Sequence, residues 1–294
     1  MAAVGLPSAE DFQWARQRRA TMRAAGGVLD LVLPLRVGGD GPPLFCAHPI
    51  VGLSWCYRAL LPHVGEQHPV YGLQPRGLRR PEPLPASMAE MARDYADQIR
   101  LTQPEGPYPL LGWALGGNIA FAIAEELERR GHQVGLLAIM DAAPDVTELT
   151  GTDVDAWKLY NFVLAEFGYD PSLTAEEPDP EARLLQVVHR RPGLGLEDWP
   201  LPRLQALLRI IRNTVTVARG YRPEQVAGPV QFFAAMRQGR PLEVKLAEWQ
   251  PLLGQPIELV EVDCAHRHML LPQPLSVVGA AVTERLARAA VPTG

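Results

Sequence analysis

Seven short apolar runs, separated by stretches with helical spacing, constrain the fold of this chain more than any other feature. They are LDLVLPLRV (29–37), PPLFCAHP (42–49), HPVYGLQP (68–75), PYPLLGWA (107–114), QVGLLAIMD (133–141), GPVQFFAAM (228–236) and QPIELVEVD (255–263). Runs that are apolar on both faces and alternate with helices are what a parallel sheet covered by helices on both sides requires. The sequence therefore predicts an α/β fold with a mostly parallel sheet.

The spacing of apolar residues between these runs predicts the helices. One predicted helix begins after Ser87, an N-cap residue with Glu90 three residues on, as in a capping box. A second ends at Arg129-Arg130-Gly131, where cations and then a glycine follow the last turn. A third covers about 275–289. The apolar residues that mark the faces of the first two helices are Met88, Met91, Tyr95, Ile99, Ile119, Ile123 and Leu127.

The same patterns divide the chain into an N-terminal arm and one larger domain. Residues 1–27, which include a short polar helical pattern, are interpreted as a linker, and residues 28–294 as the α/β domain. Within the domain, residues 146–225 break the alternation, because they contain helical patterns but no convincing strand pattern. We expect this segment to be a helical insertion over the sheet, with helices at 157–167, 181–189 and 201–217.

Composition excludes several other classes of protein. With 294 residues, of which 47% are hydrophobic, the chain is long enough to bury a core and is not disordered. A net charge of −5 gives no basic field for nucleic acid, and no uncharged apolar run is long enough to cross a bilayer. Three cysteines without a Cys-x-x-Cys pair suggest neither disulfides nor zinc. We expect a cytoplasmic monomer that binds no metal, nucleic acid or membrane.

One segment predicts chemistry, because an apolar strand passes through Gly112-Trp113-Ala114-Leu115-Gly116 directly into a helix. This is the context of a nucleophile elbow, where small residues permit a sharp turn that lifts one side chain above the sheet. Ala114 occupies the apex, and a methyl group cannot attack a carbonyl. By itself the motif favours a glycine-rich turn without chemistry, since short matches of this kind are frequent by chance.

Several motifs together resemble the thioesterase domains that terminate nonribosomal peptide and polyketide assembly lines. The resemblance runs from about Leu33 to Leu286. The motifs that carry it are Pro43-Leu44-Phe45-Cys46-Ala47-His48-Pro49, Tyr71-Gly72-Leu73-Gln74, Gly112-Trp113-Ala114-Leu115-Gly116-Gly117 and Asp263-Cys264-Ala265-His266-Arg267-His268-Met269. The resemblance implies an α/β-hydrolase fold in which the insertion 146–225 is a helical lid over the site.

The resemblance also implies a catalytic triad in the chain order Ser, Asp, His, with Ala114 in the place of the serine. Asp141 ends a predicted strand one helix after the elbow, so we expect it at the same carboxyl edge of the sheet. The alternative for Asp141 is a turn cap. His266 holds the histidine place in the family's Cys-x-His-x-x-Met order. Its nearest competitor is His268, and the alternative for His266 is a surface histidine without a role.

These residue types fit acyl transfer. An imidazole takes the proton of a serine hydroxyl, and a carboxylate holds the imidazole in one tautomer and stabilises the imidazolium that forms. The oxyanion needs N–H donors, which the resemblance assigns to the backbone amides of Ile50 and Leu115. The alternative for the loop around Ile50 is an ordinary turn without a role. We expect Ser54, Cys56 and Cys264 to lie in other segments and not to replace the missing hydroxyl.

The resemblance implies a thioesterase that takes an acyl or peptidyl chain from the phosphopantetheine thioester of a carrier protein. Release would occur by hydrolysis or cyclisation, without a cofactor of its own. With Ala114 at the apex, we expect substrate binding but no acyl-enzyme. A substitution made to trap a bound state and a natural loss of catalysis both explain Ala114. Two other functions remain open: a binding module without chemistry, and acid–base work by His266 alone.

Overall fold

A seven-stranded sheet forms the centre of the chain, as the seven apolar runs predicted. The computed structural model describes residues 29–146, 159, 179, 182, 185, 186, 196, 199–237 and 239–289. The strands are β1 (Val32–Arg36), β2 (Leu44–Ala47), β3 (Val70–Leu73), β4 (Tyr108–Trp113), β5 (Val134–Met140), β6 (Val230–Ala235) and β7 (Glu258–Val262). Their order across the sheet is β1-β3-β2-β4-β5-β6-β7. All neighbouring pairs are parallel except β1 and β3.

Five α-helices in the described residues accompany the sheet. They are α1 (Met88–Thr102), α2 (Leu115–Arg129), α3 (Leu201–Arg219), α4 (Leu242–Trp249) and α5 (Pro272–Ala289). Three 3-10 helices cover Ser54–His63, Gln250–Leu252 and His266–His268. No α-helix in the described part of the chain is both long and apolar enough to span a membrane. The last helix begins at Pro272, three residues earlier than its apolar spacing indicates.

The strands differ in burial according to their position in the sheet. Every residue of the inner strands β2, β4 and β6 is buried, which explains their continuous apolar sequences. The outermost strands differ from the expectation of two apolar faces. In β1 buried and more exposed residues alternate, with Pro34 exposed, and in β7 only Val262 is buried while Glu258 and Glu261 are exposed. An edge strand has one open side, so it does not need apolar residues throughout.

The predicted helix signals at α1 and α2 are confirmed, with one difference. The Ser87 hydroxyl accepts a hydrogen bond from the backbone N–H of Glu90 at 3.1 Å, as an N-cap does. The Glu90 carboxylate, however, accepts from the N–H of Ala86 at 2.7 Å and pairs with Arg76, so a reciprocal capping box does not form. At the end of α2, Gly131 takes a φ of +81°, the left-handed conformation that glycine adopts without strain.

Of the predicted insertion 146–225, the structure describes chiefly its last helix, α3, which confirms the helix predicted at 201–217. The patterns at 157–167 and 181–189 lie outside the described residues, apart from single positions, and so does the predicted arm 1–27. Helix α3 packs close to the loop after β2. A Cβ added at Gly52 in that loop would lie 3.3 Å from Cγ2 of Ile210.

Tyr57 joins the carboxyl ends of β2 and β4 inside the core. It is fully buried on the first 3-10 helix. Its hydroxyl donates to the carbonyl oxygen of Ala47 at 2.8 Å and accepts from the backbone N–H of Trp113 at 2.9 Å. One side chain therefore satisfies two buried backbone groups beside the predicted elbow.

We expect Tyr57→Phe to lower the free energy of unfolding by about 1–3 kcal/mol, because it leaves the Ala47 carbonyl and the Trp113 N–H buried without that partner. Urea denaturation monitored by tryptophan fluorescence measures the change. Tyr71→Phe on β3 is a matched control, since the half-buried Tyr71 ring stacks on Phe45 with or without its hydroxyl. An equal loss in both variants would contradict the role of the Tyr57 hydroxyl.

Candidate active site

Ala114 forms a strained turn between β4 and α2. Its φ of +52° and ψ of −128° lie where residues with a Cβ are rarely found. The backbone approaches itself closely there, because a Cβ added at Gly112 would lie 2.0 Å from the carbonyl oxygen of Gly116. A Cβ at Gly116 would lie 2.6 Å from the carbonyl oxygen of Ala47. The glycines that flank Ala114 are thus required by the turn, and the turn has the form of a nucleophile elbow.

Asp141 lies at the carboxyl end of β5, next to the end of β4. The pairing of Trp113 with Met140 places the two strand ends side by side, and the N–H of Ala114 donates to the carbonyl oxygen of Met140 at 3.0 Å. Asp141 has a φ of +51°, and its N–H donates to the carbonyl oxygen of Phe233 at 2.8 Å. The predicted location of Asp141 at the same sheet edge as the elbow is therefore observed.

The carboxylate of Asp141 contacts the imidazole of His266. Nδ1 of His266 lies 2.8 Å from Oδ2 of Asp141, and the side chain of Asp141 is only 5% exposed. Because a carboxylate accepts hydrogen bonds, the neutral form of this imidazole has its proton on Nδ1 and its lone pair on Nε2. His266, and not the neighbouring His268, is the histidine on this carboxylate.

Trp113 connects the elbow to the histidine loop, residues 263–269, which contains His266. The indole of Trp113 stacks on the imidazole of His266, with ring centroids 5.4 Å apart and planes inclined by 28°. The indole N–H also donates to the backbone carbonyl of His266 at 3.2 Å. Since Trp113 directly precedes Ala114, these two contacts tie His266 to the residue before the apex of the turn.

Among the described residues, Lys245 is the side chain in contact with Asp141 that the sequence patterns did not identify. From α4, its Nζ lies 2.6 Å from Oδ1 of Asp141, and its side chain is 9% exposed. The N–H of Ala235 donates to the same oxygen at 3.1 Å. The sequence did contain a signal that Lys245 is buried, because Lys245 shares the inward face of α4 with Leu242, Leu246 and Trp249. A lysine on such a face is rarely buried without a charged partner.

The surroundings of Asp141 keep its carboxyl group ionised. Burial alone would raise the pKa of Asp141. The hydrogen bond and charge of His266, and then those of Lys245, outweigh burial and hold the pKa of Asp141 below its usual value. An ionised carboxylate at neutral pH is what an orienting partner of the imidazole requires.

The loop after β2 carries Ile50, one of the two expected oxyanion donors. Nδ1 of His48 lies 2.9 Å from the carbonyl oxygen of Pro49, and the N–H of Gly52 donates to the same oxygen at 2.9 Å. In a trans peptide the C=O and the following N–H point in opposite directions. Two donors on the Pro49 oxygen therefore fix the direction of the Ile50 N–H.

Leu115, the other expected oxyanion donor, is the first residue of α2. Amides in the first turn of a helix have no acceptor within the helix and lie at its positive end. Both Ile50 and Leu115 are buried, at 5% and 3% exposure. Ile50 lies in the loop after β2 and Leu115 in α2, and these two elements meet near Gly116. A Cβ added at Gly116 would lie close to the carbonyl oxygens of Ala47 and His48.

The other candidate nucleophiles are not activated. Ser54 is buried, and its hydroxyl donates to the carbonyl oxygen of Leu73. Cys46, Cys56 and Cys264 are buried, and none of them forms a disulfide. Burial, followed by the charge of Asp141, raises the pKa of Cys264 to about 12, so its thiol stays protonated at neutral pH. The expectation that none of these residues replaces a serine hydroxyl agrees with these positions.

Two clefts of about 640 and 850 Å³ lie away from the Asp141–His266 pair. The smaller one includes Pro107, Val134 and Pro229, which stand before or at the starts of three strands, so it opens at the opposite edge of the sheet. The larger one lies among α1, α2 and α3. No cluster of three or more metal-ligating side chains occurs among the described residues.

Comparison with known proteins gives a consistent result. The family model described as Thioesterase domain matches residues 42–280. The chain is 37% identical over 271 residues to the dimodular nonribosomal peptide synthase of Bacillus subtilis (strain 168), covering 91% of this chain and 11% of that protein. It is 36% identical over 263 residues to the malpibaldin synthetase of Mortierella alpina, covering 88% and 4%. The chain thus spans a small part of the length of these relatives.

A solved structure shows the same fold over the length of one domain. The Vlm2 thioesterase domain, bound with a dodecadepsipeptide, superposes with a TM-score of 0.68 at 20% identity, covering 87% of this chain and 98% of that chain. At that identity the likeness concerns the fold, which is the α/β-hydrolase arrangement of a mostly parallel sheet flanked by helices. The fold class predicted from the sequence is confirmed.

His48 gives a test of the loop that carries Ile50. Burial, only partly offset by the hydrogen bond to Pro49, lowers the pKa of His48 to about 4. Between the ordinary histidine value and pH 4, the unfolded chain binds a proton that the folded chain does not, so stability falls as pH falls through this range. We expect His48→Asn to remove up to about 3 kcal/mol of this dependence.

Urea denaturation at a series of pH values from 7.5 to 4 measures the effect. At pH 7.5 the variant is less stable than the parent, since it loses the ring and its hydrogen bond, and the two curves converge as the pH falls. Parallel curves would contradict the assignment of His48 as a buried neutral histidine.

Proposed function

Because the chain belongs to the thioesterase-domain family, we propose that it is a chain-releasing domain that accepts an acyl or peptidyl group from the phosphopantetheine thioester of a carrier protein. The observation that carries this proposal is the 2.8 Å contact between Nδ1 of His266 and Oδ2 of Asp141, at the sheet edge where the strained turn at Ala114 also lies. The relatives that the chain resembles are multidomain synthetases, of which this chain matches one part. A carrier domain is the partner that such a context supplies.

In this proposal, the chemistry needs a serine at position 114. Its hydroxyl attacks the thioester carbonyl while Nε2 of His266 takes the proton, and Asp141 stabilises the imidazolium that forms. The backbone N–H groups of Leu115 and Ile50 bind the oxyanion. The intermediate collapses, the phosphopantetheine thiol leaves with the proton from His266, and an acyl-serine ester remains. Water, or a nucleophile within the acyl chain, then releases the product by the same proton transfers.

Ala114 removes the first of these steps. Loss of the serine from such a triad costs on the order of a millionfold in turnover, while substrate contacts and the oxyanion donors persist. We therefore propose that the chain as given binds an acylated carrier without forming an acyl-enzyme. The remaining parts of the site, including the glycines, Asp141 and His266, are those of an active member. No cofactor enters the scheme, since the substrate arrives on the carrier's own phosphopantetheine arm.

A second candidate function is a binding module that has kept the pocket and lost its chemistry. The observation that favours it is Ala114 itself, because a methyl group at the apex of the turn cannot attack a thioester carbonyl. The two candidates differ in what a restored serine does. Turnover on restoration supports a release enzyme, whereas carrier binding without turnover supports the module.

We expect Ala114→Ser to hydrolyse a small acyl thioester, such as an N-acetylcysteamine thioester, at least about 10³ times faster than the chain as given. Released thiol is measured by its reaction with a disulfide reagent. Mass spectrometry of the Ala114→Ser protein is expected to detect the acyl group on residue 114. The reason is that the strained turn, the imidazole and the oxyanion donors are already in place.

Two further variants serve as controls. In the Ala114→Ser background, His266→Gln and Asp141→Asn are expected to lower kcat by about 10³-fold or more. Little change in folding temperature is expected for His266→Gln, whereas Asp141→Asn also lowers it, because Lys245 then lacks its carboxylate partner. If the restored serine gave neither an adduct nor turnover while an acylated carrier still bound, the release function would be wrong and the binding module would remain.

A further inference from the structure

Lys245 is an unusual residue for this chain. The sequence contains only two lysines, Lys158 and Lys245, although lysine and arginine together number 28. The other described ion pairs of Asp and Glu with a permanently charged side chain use arginine as the cation. Most of their arginines are partly exposed, whereas Lys245 is 9% exposed. The chain thus places one of its two lysines against the carboxylate that orients His266.

We propose that Lys245 is a positioning residue that holds Asp141 in the orientation needed by His266. The inference rests on the proposed function for its catalytic consequence, but its geometric content stands independently. It assigns a role to a residue on α4, an element that contributes none of the expected triad or oxyanion groups.

The two oxygens of Asp141 have separate partners. Oδ1 accepts from Nζ of Lys245 at 2.6 Å and from the N–H of Ala235 at 3.1 Å. Oδ2 lies against Nδ1 of His266 at 2.8 Å. Rotation of the carboxylate would exchange the oxygens and break the two contacts of Oδ1. Lys245 and Ala235 therefore fix the plane in which Oδ2 meets the imidazole.

The ammonium group is itself anchored. Nζ of Lys245 donates a second hydrogen bond to the carbonyl oxygen of Ala235 at 3.2 Å. Ala235 ends β6, so its N–H binds Asp141 while its carbonyl binds Lys245. An ammonium can make both contacts because it is a compact charge with three donors, whereas a guanidinium is planar and larger. This geometry accounts for a lysine at the position in an arginine-rich chain.

Lys245 also balances the buried charge of Asp141 while His266 is neutral. A carboxylate that is 5% exposed is costly without a cation. The ion pair between Arg237 and Asp263, at the start of the histidine loop, is largely exposed and neutral as a pair. With Lys245 present, Asp141 remains ionised before the imidazole takes up a proton, so the acceptor of the Nδ1 hydrogen is ready throughout the reaction.

The first test uses the chain as given and requires no activity. The Nδ1 proton of His266, bonded to a buried carboxylate, is expected to give a low-field proton NMR signal, which Asp141→Asn identifies by removing it. We expect Lys245→Met, which fills the same space without charge, to shift this signal upfield by at least about 0.5 ppm or to broaden it beyond detection. Arg240→Gln is the matched control, since it removes a different cation, paired with Glu248, around the same helix. The signal is expected to remain in Arg240→Gln.

The second test uses the Ala114→Ser background. We expect Lys245→Met to lower kcat by about 10- to 100-fold, as for groups that orient catalytic residues, with KM changed less than about twofold. In Lys245→Ala, which leaves space for a small cation, ethylammonium is expected to restore kcat at least fivefold, but not in Lys245→Met. In an Asp141→Asn background, Lys245→Met is expected to have little further effect, because the two residues act as one unit.

An unchanged His266 signal in folded Lys245→Met would overturn the proposal, whatever the activity. A change in KM with kcat unchanged in Lys245→Met would also overturn the proposal. So would a loss of kcat in Arg240→Gln equal to that in Lys245→Met. If both Lys245 variants failed to fold, Lys245 would be a structural residue and the positioning role would be wrong. If Ala114→Ser itself were inactive, the release function would fail, and the NMR comparison would still decide the role of Lys245.

Discussion

The buried carboxylate of Asp141 is the constraint on which the rest of the site depends. A charge with so little access to water requires partners, and the chain supplies them from three separate segments: the histidine loop, the end of β6 and helix α4. Each partner must approach from a different direction. The loops that follow β5, β6 and β7 are therefore tied to one point, and the sheet edge is organised around it.

The sequence predicted the fold well because the signals were local and repeated. Seven apolar runs correspond to the seven observed strands, and the cap at Ser87 begins α1 as expected. The edge strands were predicted less accurately, because an apolar run does not reveal whether a strand has one neighbour or two. The antiparallel pairing of β1 follows from chain connectivity, and no residue pattern in β1 indicates it.

The site was predicted in part, and the difference has a physical cause. Ala114, Asp141 and His266 each follow a strand, so topology alone brings them to one edge. Lys245 reaches the site from the inner face of a helix, and its contact depends on how α4 packs against the sheet. A single lysine between Leu242 and Trp249 indicates burial but not the partner. The direction of the Ile50 N–H could not be predicted from the sequence either, because it depends on two hydrogen bonds to the carbonyl oxygen of Pro49.

The two outermost strands of the sheet, β1 and β7, have a consequence for a polypeptide that contains many domains. An exposed strand offers unpaired backbone groups to any other strand that diffuses past. Here β1 presents Pro34, which has no backbone donor, and β7 presents the acidic Glu258 and Glu261. Both borders thus discourage the addition of a foreign strand. In chains as long as the synthetases that this sequence resembles, such protection lowers the risk that neighbouring modules aggregate through their sheets during synthesis.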